Sequence, residues 1–320
     1  MTCPNISLPP TCTVRLPNWV GDVCMALPAL HVLRNHGVEL TLVGRGWAQD
    51  LLAGFGQPVV KLKRGIWAAA GQWRASGNRH GLLLTNSLSS ALHARLGGVR
   101  CLGYRGDGRR WLLARSLPTP VQPSHEVERL FALAQAWLRW QGISAETAVP
   151  GPSLALPLTP DHHAAAAQAL SSAGLQQPFV VIAPLAVGTI NGVSKVWPHF
   201  PALCQALIAA GHQLVTCPGP GEEVACAAAA PGAVACLGLG LGAYAALCQQ
   251  ASLVISNDSG PAHLASAVDA PTLAVFGCGQ PWRTAPWGGQ WIGSAETWPS
   301  VEEVTGTVFQ NLNTPRRIPE

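Results

Sequence analysis

The sequence predicts an α/β protein built from doubly wound parallel sheets, and three observations carry that expectation. Short apolar runs alternate with helical segments through the first hundred residues, the scheme returns after residue 178, and a proline-rich stretch separates the two series. Strands that alternate with helices at this spacing pair in parallel through crossover helices, which cover the sheet. The separating stretch, Val149–Pro160, has four prolines in twelve residues and reads as a linker. Two domains are therefore expected, residues 1–155 and 156–320, with the last helix packing back on the first.

Composition agrees. The 320 residues suffice for two cores, and 48% hydrophobic with 11% charged residues excludes a disordered chain. A formal charge of +4 is too mild for a nucleic-acid surface, although arginines concentrate in one third of the chain. No apolar stretch approaches the roughly 20 residues that span a bilayer. Met1–Pro10 has neither the basic start nor the apolar core of a secretory signal. None of the ten cysteines lies within three residues of another, so zinc-ribbon and thioredoxin-like pairs are absent and reduced core thiols in a cytosol are expected.

Thr11–Leu16 reads as the first strand. A single amphipathic helix over Val23–Asn35 follows, its stripe supplied by Met25, Leu27, Leu30 and Leu33 and its stop by Gly37. Strands are expected at 38–43, 59–62, 82–85 and 100–102, with helices at 47–53, 66–74 and 87–96 between them. Tyr104–Pro123 breaks the pattern with Arg105, Arg109, Arg110 and Arg115, and a helix resumes at His125–Gln141. In the second half the strands are 179–183, 214–216, 253–256 and 272–276. The helices there are 201–210, 222–230, 243–251, 261–268 and 301–312. In such sheets a ligand binds at the strand carboxyl ends.

Polar residues gather at those ends. The loop 184–198 offers Thr189, Ser194 and Lys195; the next, Pro218–Glu223, offers Glu222; and Asn257–Pro261 leads from a buried strand into a helix. A helix start presents unpaired N–H groups and the positive end of the helix dipole, which suits a phosphate. Lys195 with the amides of Ser259 and Gly260 thus fits a nucleotide diphosphate, and a glutamate, Glu222 or Glu223, fits ribose hydroxyls. Singly, each has a plainer reading: a solvated lysine, a capped helix, a glutamate favouring the helix dipole. Asp22 is the sole acidic residue at the first strand–helix turn, placed as a base on an acceptor hydroxyl or as a helix cap. The Gly238-Leu-Gly-Leu-Gly242 run lacks a clear preceding strand. The absence of a P-loop, an Asp-x-Asp pair and a His-Glu-x-x-His helix removes the usual metal and phosphate motifs. Trp67, Trp73 and Trp111 lie near basic residues, either packed or set against lipid headgroups.

Leu16-Pro-Asn18-Trp-Val-Gly-Asp22 with Met25–Ala29, Ser194-Lys-Val-Trp-Pro198, and Ser256-Asn-Asp258-Ser259-Gly260-Pro-Ala-His263 resemble the three signatures of glycosyltransferase family 9, the ADP-heptose:lipopolysaccharide heptosyltransferases. Asn86–Ala91 and Gly103–Leu113 resemble its type II branch. The matches run in order from residue 13 to about 288. The resemblance implies a GT-B fold, two Rossmann-like domains facing across a cleft, and an inverting, metal-independent transfer of heptose from ADP-heptose to the lipopolysaccharide inner core. It implies Asp22 as general base and Thr189, Ser194, Lys195, Glu222, Asp258, Ser259, Gly260 and His263 at the donor. Asn18, Asn86, Arg105, Arg109 and Arg110 would stand at the acceptor, whose carboxylates and phosphates suit arginine. No cofactor is expected. The expected setting is a cytoplasmic monomer in peripheral contact with the inner membrane. The sequence departs from the family at the uncharged 184–193 loop and at Cys278-Gly279. Another sugar donor, or a two-domain nucleotide-sugar 2-epimerase, are the alternatives.

Overall fold

The computed structural model describes residues 9–145 and 149–314. The chain divides into two compact units, one of residues 1–18, 26–52 and 56–151, the other of 19–25, 53–55 and 152–320.

The first unit holds a six-stranded parallel sheet of β1 (Thr11–Arg15), β2 (Glu39–Gly44), β3 (Val59–Lys61), β4 (His80–Leu83), β5 (Arg100–Tyr104) and β6 (Arg115–Leu117), in the order 3-2-1-4-5-6. This is the doubly wound order whose switch point lies between β1 and β4. Between residues 20 and 140 the helices are α1 (Val20–Met25), α2 (Leu27–Asn35), α3 (Ala48–Leu51), α4 (Ile66–Ala75), α5 (Leu88–Leu96) and α6 (Glu126–Trp140). The single helix expected over 23–35 is two. Pro28 sits in the first turn of α2, where it has no N–H for the carbonyl of residue 24 and its ring would strike that carbonyl. The division between the units falls at this break, after Met25. Strand β6 and a 3-10 turn at Arg109–Leu112 lie within the stretch read as irregular. Trp73 is wholly buried, packed with Leu83, Ala91 and Cys101, and so is not available to lipid.

The second unit repeats the plan. Strands β7 (Phe179–Ala183), β10 (Gln213–Thr216), β11 (Val234–Ala235), β12 (Leu253–Asn257), β13 (Thr272–Phe276) and β14 (Gln290–Gly293) form a parallel sheet in the order β11-β10-β7-β12-β13-β14. This is again 3-2-1-4-5-6, with the switch point between β7 and β12. A two-stranded hairpin, β8 (Thr189–Ile190) and β9 (Val193–Ser194), stands apart. Helices α7 (Pro160–Ser172), α8 (Phe200–Ala209), α9 (Glu223–Ala229), α10 (Leu241–Gln250), α11 (Gly260–Ala267), α12 (Pro281–Thr284) and α13 (Val301–Asn313) complete it. Helix α7, unpredicted because its alanines show no apolar period, packs on α10. It does so at Gly242, where a Cβ would lie 2.3 Å from the His162 ring. The Gly238–Gly242 run does follow a strand, the two-residue β11, and Gly242 serves helix packing. Helix α13 belongs to this unit and buries Val304 and Val308 toward α8.

Among the described residues no helix is long and apolar enough to cross a membrane.

Candidate active site

In the second unit two of the expected donor residues, Lys195 and Asp258, meet at the switch point between β7 and β12. Strand β12 ends in Asn257, buried, whose side chain fastens both ends of the preceding loop. Its carbonyl oxygen accepts from the Trp197 N–H at 2.8 Å and its amide donates to the Pro184 carbonyl at 2.8 Å. Between those anchors the chain forms the β8–β9 hairpin, turned by Asn191 (φ 52°) and Gly192 (φ 80°). Two positive φ values make a type I′ turn, which Asn-Gly favours. Thr189 and Ser194, both exposed, are cross-strand partners on it. Lys195 follows, and its ammonium meets the Asp258 carboxylate at 3.0 Å, the aspartate buried and the lysine partly exposed. The pair holds a cation at the switch point, with Asp258 immediately before the N-cap of α11.

Ser259 occupies the N-cap of α11 without capping it by its side chain. Its hydroxyl lies 3.0 Å from that of Ser256, which bonds the Asn257 carbonyl. The capping expected of these polar residues is thus replaced by a hydroxyl pair, and the helix start keeps its positive end. Glu222 turns inward on its own loop, accepting from the Gly219 N–H at 3.0 Å. His263, expected at the donor, is buried beneath α1.

Helix α1, which carries Asp22 in its first turn, groups with this unit and packs on α11. The approach is close. A Cβ on Gly21 would lie 2.5 Å from the His263 ring, and one on Gly260 would lie 3.4 Å from Val20. Asp22, half-buried, is thereby carried by a helix packed on the element whose start suits a phosphate.

In the first unit, two buried arginines present two exposed asparagines at the carboxyl ends of adjacent strands. Arg15 reaches Asn18 Oδ1 at 2.6 Å and also donates to the Leu16 carbonyl. Burial and the neighbouring Arg45 lower its pKa to about 10. Arg109, fully buried, donates to the Tyr104 carbonyl at 2.7 Å, to the Thr85 carbonyl, and to Asn86 Oδ1 at 2.8 Å. Burial likewise lowers its pKa. With each asparagine oxygen so committed, the amide N–H groups are the donors Asn18 and Asn86 offer a ligand. Arg105 and Arg110 are exposed, Arg110 lying over the Trp111 ring at 5.6 Å.

Sequence reading gives no role to Arg15 and no anchoring role to Asn257, and it does not find the hairpin. Asn191-Gly192 between apolar residues was a readable hairpin signal. Nothing local marks Arg15 or Asn257, whose partners come from other segments.

Two doubly wound units, with a cation and a helix start at the second switch point, define the class: a GT-B glycosyltransferase architecture. The family model described as glycosyltransferase family 9 (heptosyltransferase) matches residues 73–312, and the chain belongs to that family. It is 26% identical over 298 residues to lipopolysaccharide heptosyltransferase 2 of Salmonella typhimurium, covering 84% of this chain and 83% of the relative. It is 31% identical over 148 residues to lipopolysaccharide heptosyltransferase 3 of Escherichia coli, covering 42% of each. The structure of E. coli ADP-heptose lipopolysaccharide heptosyltransferase II superposes with a TM-score of 0.75 at 22% identity, covering 95% of this chain and 97% of that one.

Proposed function

We propose that this protein transfers heptose, with inversion and without a metal, from ADP-heptose to a heptose already on the lipopolysaccharide inner core. It would work as a monomer at the cytoplasmic face of the inner membrane. The observation that carries the reading is the packing of α1 on α11, which ties the Asp22 carboxylate to the helix start where a diphosphate fits. Asp22 takes the proton of the acceptor hydroxyl while its oxygen attacks the anomeric carbon, and the bond from that carbon to the diphosphate breaks on the opposite face. The charge left on ADP falls to Lys195, oriented by Asp258, and to the start of α11. Thr189, Ser194 and Glu222 lie in loops at strand carboxyl ends of the same unit and bound the donor; Asn18, Asn86, Arg105 and Arg110 receive the acceptor. Arg109 acts there by holding Asn86.

The test is an Asp22→Asn variant assayed with ADP-heptose and a heptosylated core acceptor. The turnover number is expected to fall by about 10²–10⁴-fold, with ADP affinity within about twofold of native because the base does not touch the diphosphate. Near-native turnover would remove Asp22 from the mechanism. Conversion of the donor in the absence of acceptor would instead favour the epimerase reading.

A further inference from the structure

The transfer reaction uses none of the chain's ten cysteines, yet five of them lie between residues 204 and 248. Four gather at the carboxyl end of β10, where Cys217 stands within electrostatic reach of Cys226 on α9, Cys236 after β11 and Cys248 on α10. The described cysteines are all unlinked.

Strand pairing singles out two of the four. In the parallel β10–β11 ladder Val215 lies opposite Val234 and Thr216 opposite Ala235. The Cys236 N–H then donates to the Thr216 carbonyl at 2.8 Å, so the next step of the ladder sets Cys217 beside Cys236. Adjacent strands are about 4.8 Å apart and residues in register share a face. That spacing falls inside the roughly 4.4–6.8 Å between Cα atoms that a disulfide spans. The two thiols are hydrogen-bonded to each other, Cys217 donating and Cys236 accepting. This bond lowers the Cys236 pKa from 9.0 and, together with burial, pushes Cys217 well above that value. One sulfur is thus the readier thiolate and its neighbour the thiol that resolves, the asymmetry a dithiol pair needs. Cys217 is half-buried, which opens the pair to a small oxidant from that side.

The pair sits at the foot of the donor loop. Pro218–Glu222 follows Cys217 directly, and a Cys217–Cys236 bond would close residues 217–236, with Glu222 and α9, into one ring. Strand β11 lies on the side of β10 away from the switch point between β7 and β12. Bringing the sulfurs to about 2.05 Å draws Cys217 toward that edge, and the Glu222 loop away from Lys195 and Asp258. We propose that Cys217 and Cys236 are a redox-reversible dithiol, closed to a disulfide by a peroxide and reopened by a thiol reductant, and that the closed form holds ADP less tightly. The ADP clause rests on the donor reading of the preceding section. The Cys236 thiolate attacks one peroxide oxygen, the O–O bond breaks and hydroxide leaves. The Cys217 sulfur then attacks the sulfenic sulfur, the S–O bond breaks and water leaves. Two thiols and one peroxide thereby give one disulfide and two waters. In a reducing compartment links of this kind are transient and sensory.

The experiment treats the full-length protein with hydrogen peroxide, alkylates the remaining thiols and maps the peptides by mass. A peptide pair joined through Cys217 and Cys236, lighter by two hydrogens and separated again by dithiothreitol, is expected. Calorimetry with ADP is expected to show about fivefold weaker binding by the oxidised protein, with native affinity returning on reduction. Cys236→Ser is expected to bind ADP as the reduced protein does and to keep that affinity after peroxide, while Cys226→Ser should still form the link. Alkylation of both Cys217 and Cys236 after peroxide overturns the proposal, as does a link formed at Cys204 and Cys226 instead. Equal ADP affinity in the reduced and linked proteins overturns it too, as does a loss of affinity in peroxide-treated Cys236→Ser as large as in the native chain. Reduced protein without ADP affinity would sink the donor reading and the ADP clause with it, and the mapped link decides the thiol pair separately.

Discussion

At the scale of single residues, the two buried arginines show how backbone carbonyls and an asparagine oxygen make a charge tolerable. Arg109 spends its donors on the Tyr104 and Thr85 carbonyls and on Asn86, which satisfies the guanidinium and joins the ends of β4 and β5. Arginine near a family signature reads in sequence as a surface ligand for anions. Its position inside the unit follows from carbonyls contributed by two separate strands. Replacing it by methionine keeps the volume but strands two carbonyls and frees Asn86. Arg109→Met is expected to cost about 3 kcal/mol in urea unfolding. Lysine, with a single charged nitrogen, is expected to restore only part of that.

At the scale of elements, glycine decides how closely helices approach. Gly21 lets α1 lie against His263 of α11, and Pro28 ends the helical run soon enough for α1 to form separately from α2. A methyl group at residue 21 forces α1 outward, since the ring atom it meets is held in a buried side chain. Gly21→Ala is expected to destabilise by about 1–3 kcal/mol. Because α1 carries Asp22, turnover is expected to fall more steeply than stability; Gly242→Ala, made where α10 meets His162 of α7, should cost similar stability while leaving turnover near native. Equal loss of turnover in both variants would show that the α1–α11 spacing has no special part.

At the scale of the whole molecule, the reduced cysteines set an alkaline limit. Burial raises the Cys24 thiol from 9.0 to about 12 and the Cys204 thiol to about 11, and pushes Cys12, Cys101 and Cys248 up strongly as well. Such a thiol keeps its proton longer folded than unfolded. Its contribution is complete below pH 9 and is lost as the pH climbs from there toward the folded value. Each costs about 1.4 kcal/mol per pH unit in that window. The melting temperature is expected to hold from pH 7 to 8.5 and to drop steeply by pH 10, and alanine at Cys24 and Cys204 should flatten the drop.

Sequence alone determined the alternation of strands and helices, and with it the two parallel sheets, because buried strands and half-buried helices must show their apolar periods locally. It also located the residues that meet at the second switch point, since strand carboxyl ends are where such folds place ligands. Only the tertiary structure decided that α1 groups with the second unit, that Asn257 pins the hairpin loop, and that Arg15 and Arg109 lie buried behind Asn18 and Asn86. Each of these depends on a partner from a distant segment, and a residue's own neighbours in the chain do not record which distant carbonyl, ring or helix it will meet.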